Sequence, residues 1–152
     1  MPERTDQKST KTVEFSNFGR RVVQGRFDGG SMTSDGGVML LNETDRKLGL
    51  TQAAARCIPD PRSPLLITHA VRDMLRQRIY GLALGWEDLN DHGALRLDIA
   101  MQTAVGVEHK VASAPTLCRL ESWSDRKAAV DLHKVLVEQF ISSFKTAPEE
   151  LV

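Results

Sequence analysis

Leu65-Leu66-Ile67-Thr68-His69-Ala70-Val71-Arg72-Asp73-Met74-Leu75-Arg76-Gln77-Arg78-Ile79-Tyr80-Gly81-Leu82-Ala83-Leu84 carries the clearest periodic pattern in the chain. Its apolar positions Ile67, Ala70, Val71, Met74, Leu75, Ile79 and Leu82 recur at three- and four-residue steps. That is the period of one helix face, not the alternation of a strand, and it predicts a long helix over 65–84 with a single buried stripe. His69, Arg72 and Arg76 share a second face of the same helix, with Arg78 nearby and only Asp73 against them.

Working outward, the helical character extends in both directions. Residues 38–48 form a helix closed by Gly49, a residue suited to the left-handed position after a C-terminus. A short helix over 51–57 is stopped by Pro59 and Pro61. Gly81, Gly85 and Gly93 cut the next section into short pieces, with a turn over 86–90 and a helix over 97–105. Ser113 reads as an N-cap with Pro115 in the first turn that tolerates it, opening a helix to about residue 123. Ser124 can cap the last helix, 125–144, with Ala129, Leu132, Leu136, Phe140 and Phe144 as its inner face. Before residue 38 the pattern is different. Residues 13–15 and 22–27 are short β-type runs joined by a turn over 16–19, and Asp28-Gly29-Gly30 and Asp35-Gly36-Gly37 are looped chain leading into the first helix.

The expected fold is therefore mainly α: one compact domain of about five or six helices with a small N-terminal β element. Its expected divisions are a disordered tail over 1–12, a hairpin with Gly-rich loops over 13–37, a helical domain over 38–147, and the start of a strand over 148–152. A length of 152 residues is that of one domain, with 41% apolar and 26% charged residues as in a globular protein. Lys plus Arg and Asp plus Glu both number 20, so any nucleic-acid contact must come from a local patch. Cys57 and Cys118 fit neither a zinc spacing nor a disulfide framework and are expected to be buried, reduced thiols. No apolar run reaches membrane-spanning length and the N-terminus is no signal peptide, so the expected location is the cytoplasm.

Four sets of residues carry chemistry. Arg72, Arg76 and Arg78 could meet phosphates, or could be an ordinary solvated face. Ser113, Thr116 and Arg119 sit at a helix N-terminus, where free N–H groups favour phosphate and Arg119 could reach a phosphate or a base edge. The long helix that follows gives this pair a helix-turn-helix look, against the plainer reading of a capped helix with Leu117 and Leu120 in the core. Arg20 and Arg21 in the hairpin are weaker cationic candidates. Glu87, Asp88 and Asp91, with Asn90 and His92, could hold a divalent metal through oxygen ligands. The favoured reading of that stretch is capping and linking of short helices.

Several segments stand together in one order: Phe27-Asp28-Gly29-Gly30, Thr33-Ser34-Asp35-Gly36-Gly37, Asp45 through Leu48-Gly49-Leu50, Arg76-Gln77-Arg78, Gly85-Trp86-Glu87-Asp88-Leu89-Asn90-Asp91, Leu95-Arg96-Leu97-Asp98, and residues 112–121. In this order they resemble the opening of bacterial insertion-sequence transposases of the "DDE domain, group 1" type. The likeness covers nearly the whole chain, from about residue 13 to the end, with Trp86 where a Tyr is common and Cys118 where a Ser is usual. The resemblance implies DNA transposition on a ribonuclease-H-like fold, where three acidic residues hold two Mg²⁺ ions for in-line phosphoryl transfer. It also implies that the first acidic motif follows a segment like Pro148-Glu149-Glu150-Leu151-Val152. The expectation is thus a chain truncated before the catalytic acids, with no cofactor of its own, whose partner is DNA at the element's terminal repeats. Two other roles remain open: a non-catalytic module that self-associates or pairs with full-length transposase, and a metal-dependent nuclease using Glu87, Asp88 and Asp91.

Overall fold

The computed structural model describes residues 12–26 and 35–146. The tail over 1–11, Asp28-Gly29-Gly30 and the terminal segment from Pro148 lie outside the described residues. The described chain is mainly helical, with seven α-helices after a small two-stranded antiparallel sheet.

Strands β1 (Thr12–Glu14) and β2 (Gln24–Arg26) pair Thr12 with Arg26, Val13 with Gly25 and Glu14 with Gln24. The hairpin turns at Gly19 and Arg20, later than the turn expected over 16–19, between the mutual backbone hydrogen bonds of Phe18 and Arg21 (3.1 and 2.8 Å). Gly19 takes φ +55°, a conformation that glycine adopts without steric cost in a tight hairpin. The Ser16 N–H donates to Glu43 Oε1 at 3.0 Å and holds the hairpin to the helical body.

Helix α1 (Val38–Leu48) has the bounds its sequence predicts, and ends at Gly49 (φ 68°), whose N–H donates to Asp45 O at 2.7 Å. Then come α2 (Leu50–Ala55), α3 (Val71–Ala83), α4 (His92–Leu95), α5 (Ile99–Val105), α6 (Ala114–Ser122) and α7 (Arg126–Ser142). Asp98 caps α5 by accepting from Met101 N at 2.6 Å. At α7 the capping residue is Asp125, accepting from Ala128 N at 2.7 Å, and not the neighbouring Ser124.

The long helix expected over 65–84 is shorter. Pro64–Leu66 is a 3-10 turn, Ile67 and Ala70 have extended backbone, and α3 starts only at Val71. Its inner face is also rotated: Met74, Gln77, Tyr80 and Gly81 are buried, while Ile67, Ala70 and Leu82 are exposed and Leu65 is 95% exposed. The cause is polar. The Gln77 amide donates to Ala112 O (2.9 Å) and accepts from Ala112 N–H (2.8 Å), and the Tyr80 hydroxyl donates to Asp45 Oδ2 (3.2 Å). Side chains satisfied in this way can occupy an interior that an apolar pattern would assign to others.

Helix α7 departs in the same manner. Ala128 is buried, and Leu132, Val135 and Gln139 are half-buried, whereas the expected inner residues Ala129, Leu136, Phe140 and Phe144 are exposed. The Gln139 amide donates to Leu48 O at 3.0 Å, tying the inward face of α7, which lies against α2, to the end of α1. Cys118 is exposed and Cys57 half-buried, both free thiols, which corrects the expectation that the two are buried.

Two apolar clusters result. Val38, Met39, Tyr80, Leu95, Met101, Ala104, Val105, Val107 and Val111 join α1, α3 and α5. Ile58, Met74, Ala112, Leu117 and Leu120 join α3 and α6, with Trp123 packed against them. No described helix is long and apolar enough to cross a membrane.

Candidate nucleic-acid interface

Helix α3 holds α6 at both ends. Gln77 grips both backbone groups of Ala112, the second residue before α6, and Arg78 reaches the other end of the helix by donating to Glu121 Oε1 at 2.8 Å. Arg78 also donates to Glu87 O (2.9 Å) and faces His92 Nε2 (3.3 Å). His92 is fully buried, with Gln77 Nε2 3.4 Å from its Nδ1. Burial, with the Arg78 cation beside it, lowers the His92 pKa, so the ring is neutral at physiological pH. A neutral imidazole has one acceptor nitrogen, so it can accept from only one of these two donors at a time.

Arg76 is likewise an internal residue. Its Nε lies 3.3 Å from Asp45 Oδ2 and 3.2 Å from Thr51 Oγ1, and its Nη1 donates to Val105 O at 3.3 Å. Asp45 further accepts from Thr51 N (2.8 Å), Thr51 Oγ1 (2.6 Å) and Tyr80. Burial, then the Asp45 charge, pushes the Tyr80 phenol above its usual pKa, so it remains a donor. Of the three arginines expected on α3, only Arg72 is exposed, paired loosely with Asp73 at 3.2 Å.

The α6 residues fare otherwise. Ser113, Thr116 and Arg119 lie together along one wall of a groove of about 550 Å³. Pro61, Arg62, Leu66, Thr68 and His69 from the chain before α3 line it too, with Arg96 and Trp123. Three arginines, a histidine, three hydroxyls and a tryptophan face this space, and among the described residues no carboxylate lines it. Ser113 has the extended backbone of an N-cap, but its Oγ bonds to Thr116 Oγ1 (2.9 Å) instead of a helix N–H, and Arg119 Nη2 donates to the same Thr116 oxygen (3.2 Å). Arg96 is fixed by its Nε, 3.4 Å from Val111 O, and by its own carbonyl, which accepts from Val111 N at 3.3 Å. His69 stacks near His109, with ring centroids 5.4 Å apart. Burial first, then the charges of His109, Arg96 and Arg62, lowers the His69 pKa.

Arg62, Thr68, Arg96 and Trp123 escaped the sequence reading because the groove is assembled from segments far apart in the chain. Local signals did exist: Arg62 stands in a Pro-rich turn beside Asp60, and Arg96 inside the Leu95-Arg96-Leu97-Asp98 motif. Arg20 is exposed at the hairpin tip, and Arg21 lies 3.5 Å from Thr103 Oγ1; neither lines the groove. The helix-turn-helix look is not matched by packing, since α6 rests on the 3-10 turn Leu89–Asp91 and on α3, and α7 on α2. Asp88 accepts from Asn90 N at 2.9 Å as a cap, and Glu87, Asp88 and Asp91 do not converge. Among the described residues no three His, Cys, Asp or Glu side chains could hold a metal ion. The residues described therefore do not fit the Mg²⁺ centre that the resemblance implies.

The geometry is that of a small helical module carrying a cationic, hydroxyl-lined groove. Residues 15–152 match the family model for transposase DDE domain group 1, and the chain belongs to that family. No curated protein and no solved structure matches the chain.

Proposed function

We propose that this chain is a DNA-binding part of a transposase, recognising the ends of its mobile element, and that it does not itself carry the catalytic acids. The observation that carries this reading is the groove between α6 and the segment before α3, where Arg62, Arg96 and Arg119 meet and no carboxylate stands among the described lining residues. Arg96 and Arg119 supply the charge for phosphate, and Ser113, Thr116 and Thr68 supply neutral donors that position a backbone without reading sequence. Arg72, exposed on the first turn of α3, extends the cationic surface. Arg76 and Arg78, whose guanidinium groups are taken up inside the fold, act through stability and not through contact.

A mobility-shift titration on duplexes carrying the element's terminal repeats, at two salt concentrations, tests this. Arg96→Ala and Arg119→Ala should each weaken binding and reduce the magnitude of the log-log salt slope by about 0.9 for each phosphate no longer neutralised. Unchanged affinity and slope in both variants would remove the groove from the account.

A second reading, pairing with another transposase copy, is favoured by one feature. Helix α7 exposes Val130, Leu136, Val137, Phe140 and Ile141, and Phe144 just beyond its end is exposed too. Val130 and Val137 are seven residues apart with Phe140 three further on, the spacing of a coiled-coil seam. Sedimentation of the wild type against Val137→Glu separates the roles: a concentration-dependent dimer lost in the variant supports pairing, and a monomer in both removes it.

A further inference from the structure

We infer that the groove takes an unpaired nucleotide of single-stranded DNA, with its base stacked on the Arg62 guanidinium and its phosphate held by Arg96 and Arg119. The inference rests on the DNA-binding reading above and narrows it.

Arg62 is a poor phosphate ligand and a good platform. Its Nε and Nη2 each donate to Asp60 at 2.7 Å, a bidentate pair that already neutralises its charge. One face of the planar group covers Trp123, with Cζ 4.8 Å from the ring centroid. Trp123 in turn packs against the second apolar cluster. The Arg62 N–H donates to Asp60 Oδ1 at 3.1 Å, and Pro59, Pro61 and Pro64 restrict the backbone on both sides. The guanidinium is thus held flat before any ligand arrives, and such planes accept bases by stacking. Leu66, also in the lining, is 78% exposed and adds an apolar rim suited to a base face.

The shape points the same way. A concavity of about 550 Å³ has the size of a site for a small planar ligand. A duplex presents its bases only through its own grooves, which a protein enters with a protruding element. A splayed nucleotide brings both of the things the lining offers to hold: a flat π face and a phosphate.

Fluorescence anisotropy with three labelled DNAs tests this: a short oligothymidine, a blunt duplex, and the same duplex with a few unpaired nucleotides at one end. The expected result is roughly tenfold tighter binding of the overhang duplex than of the blunt one. Arg62→Lys, which keeps the charge and loses the plane, should abolish the preference, so that the variant binds the overhang duplex no more tightly than it binds the blunt one. Equal binding of both duplexes by the wild type overturns the inference while the DNA-binding reading survives, and this comparison needs no variant. An overhang preference untouched by Arg62→Lys removes the platform. Failure of all three DNAs to bind overturns both readings.

Discussion

Gly81 lies inside α3, where exchanging glycine for alanine ordinarily stabilises a helix by up to about 1 kcal/mol. Here the opposite is expected. A Cβ built on Gly81 would stand 2.5 Å from Cε1 and 3.0 Å from Nε2 of His92. The ring has little room to retreat: it is 0% exposed, with Gln77 Nε2 3.4 Å from one nitrogen and Arg78 Nη1 3.3 Å from the other. Gln77 is itself fixed on both backbone groups of Ala112. Forcing one carbon into such packing costs about 1–3 kcal/mol. With the ring held on both nitrogens the cost falls in the upper part of that range, about 2–3 kcal/mol, and set against a helix gain of about 1 kcal/mol the net destabilisation of Gly81→Ala is about 1–2 kcal/mol. For a chain of this size that is a fall in melting temperature of roughly 2–8 °C. Thermal melts followed by far-UV circular dichroism measure it, in the parent and in a His92→Ala background. Removing the ring creates the missing space, so Gly81→Ala should be neutral or stabilising there, and the double-mutant cycle should show clear coupling. A Gly81→Ala protein that melts at or above the parent temperature would refute the packing described around His92.

Asp45→Ala should destabilise by about 3 kcal/mol or more, because it leaves the partly buried Arg76 cation without its carboxylate. A denaturant midpoint within error of the parent would contradict that. The lowered pKa values of His92 and His69 set a pH dependence. The unfolded chain binds protons more readily at both, so stability is full above about pH 6.5 and falls as the pH drops from there toward the lowered folded values. Urea midpoints between pH 7.5 and 5.5 should decline, and a flat profile would count against the burial of these rings. Glu121→Gln weakens the Arg78 ion pair that holds the end of α6. It should lower stability by less than about 1 kcal/mol, since Glu121 is exposed.

Much of the fold was legible in local chemistry. The bounds of α1, the left-handed Gly49 after it, the Pro-containing start of α6 and the N-terminal hairpin follow from propensity, capping and turn residues within a few positions of one another. The family, too, could be read from motifs in order along the chain. What the sequence did not disclose was which way each helix would turn. Apolar spacing marks a stripe but cannot weigh it against a Gln77 that satisfies a distant backbone, a Tyr80 that finds Asp45, or a Gln139 that finds Leu48 O. These partners lie 35 to 91 residues away and exist only once the chain is packed. The same holds for the candidate site. Charge along α3 nominated Arg76 and Arg78, and tertiary contacts took both inward. Those contacts also brought Arg62, Arg96 and Arg119 to one groove from three separate segments. Helix identity is decided by neighbours in sequence; the direction in which a side chain faces, and therefore which cation is left for a ligand, is decided by neighbours in space.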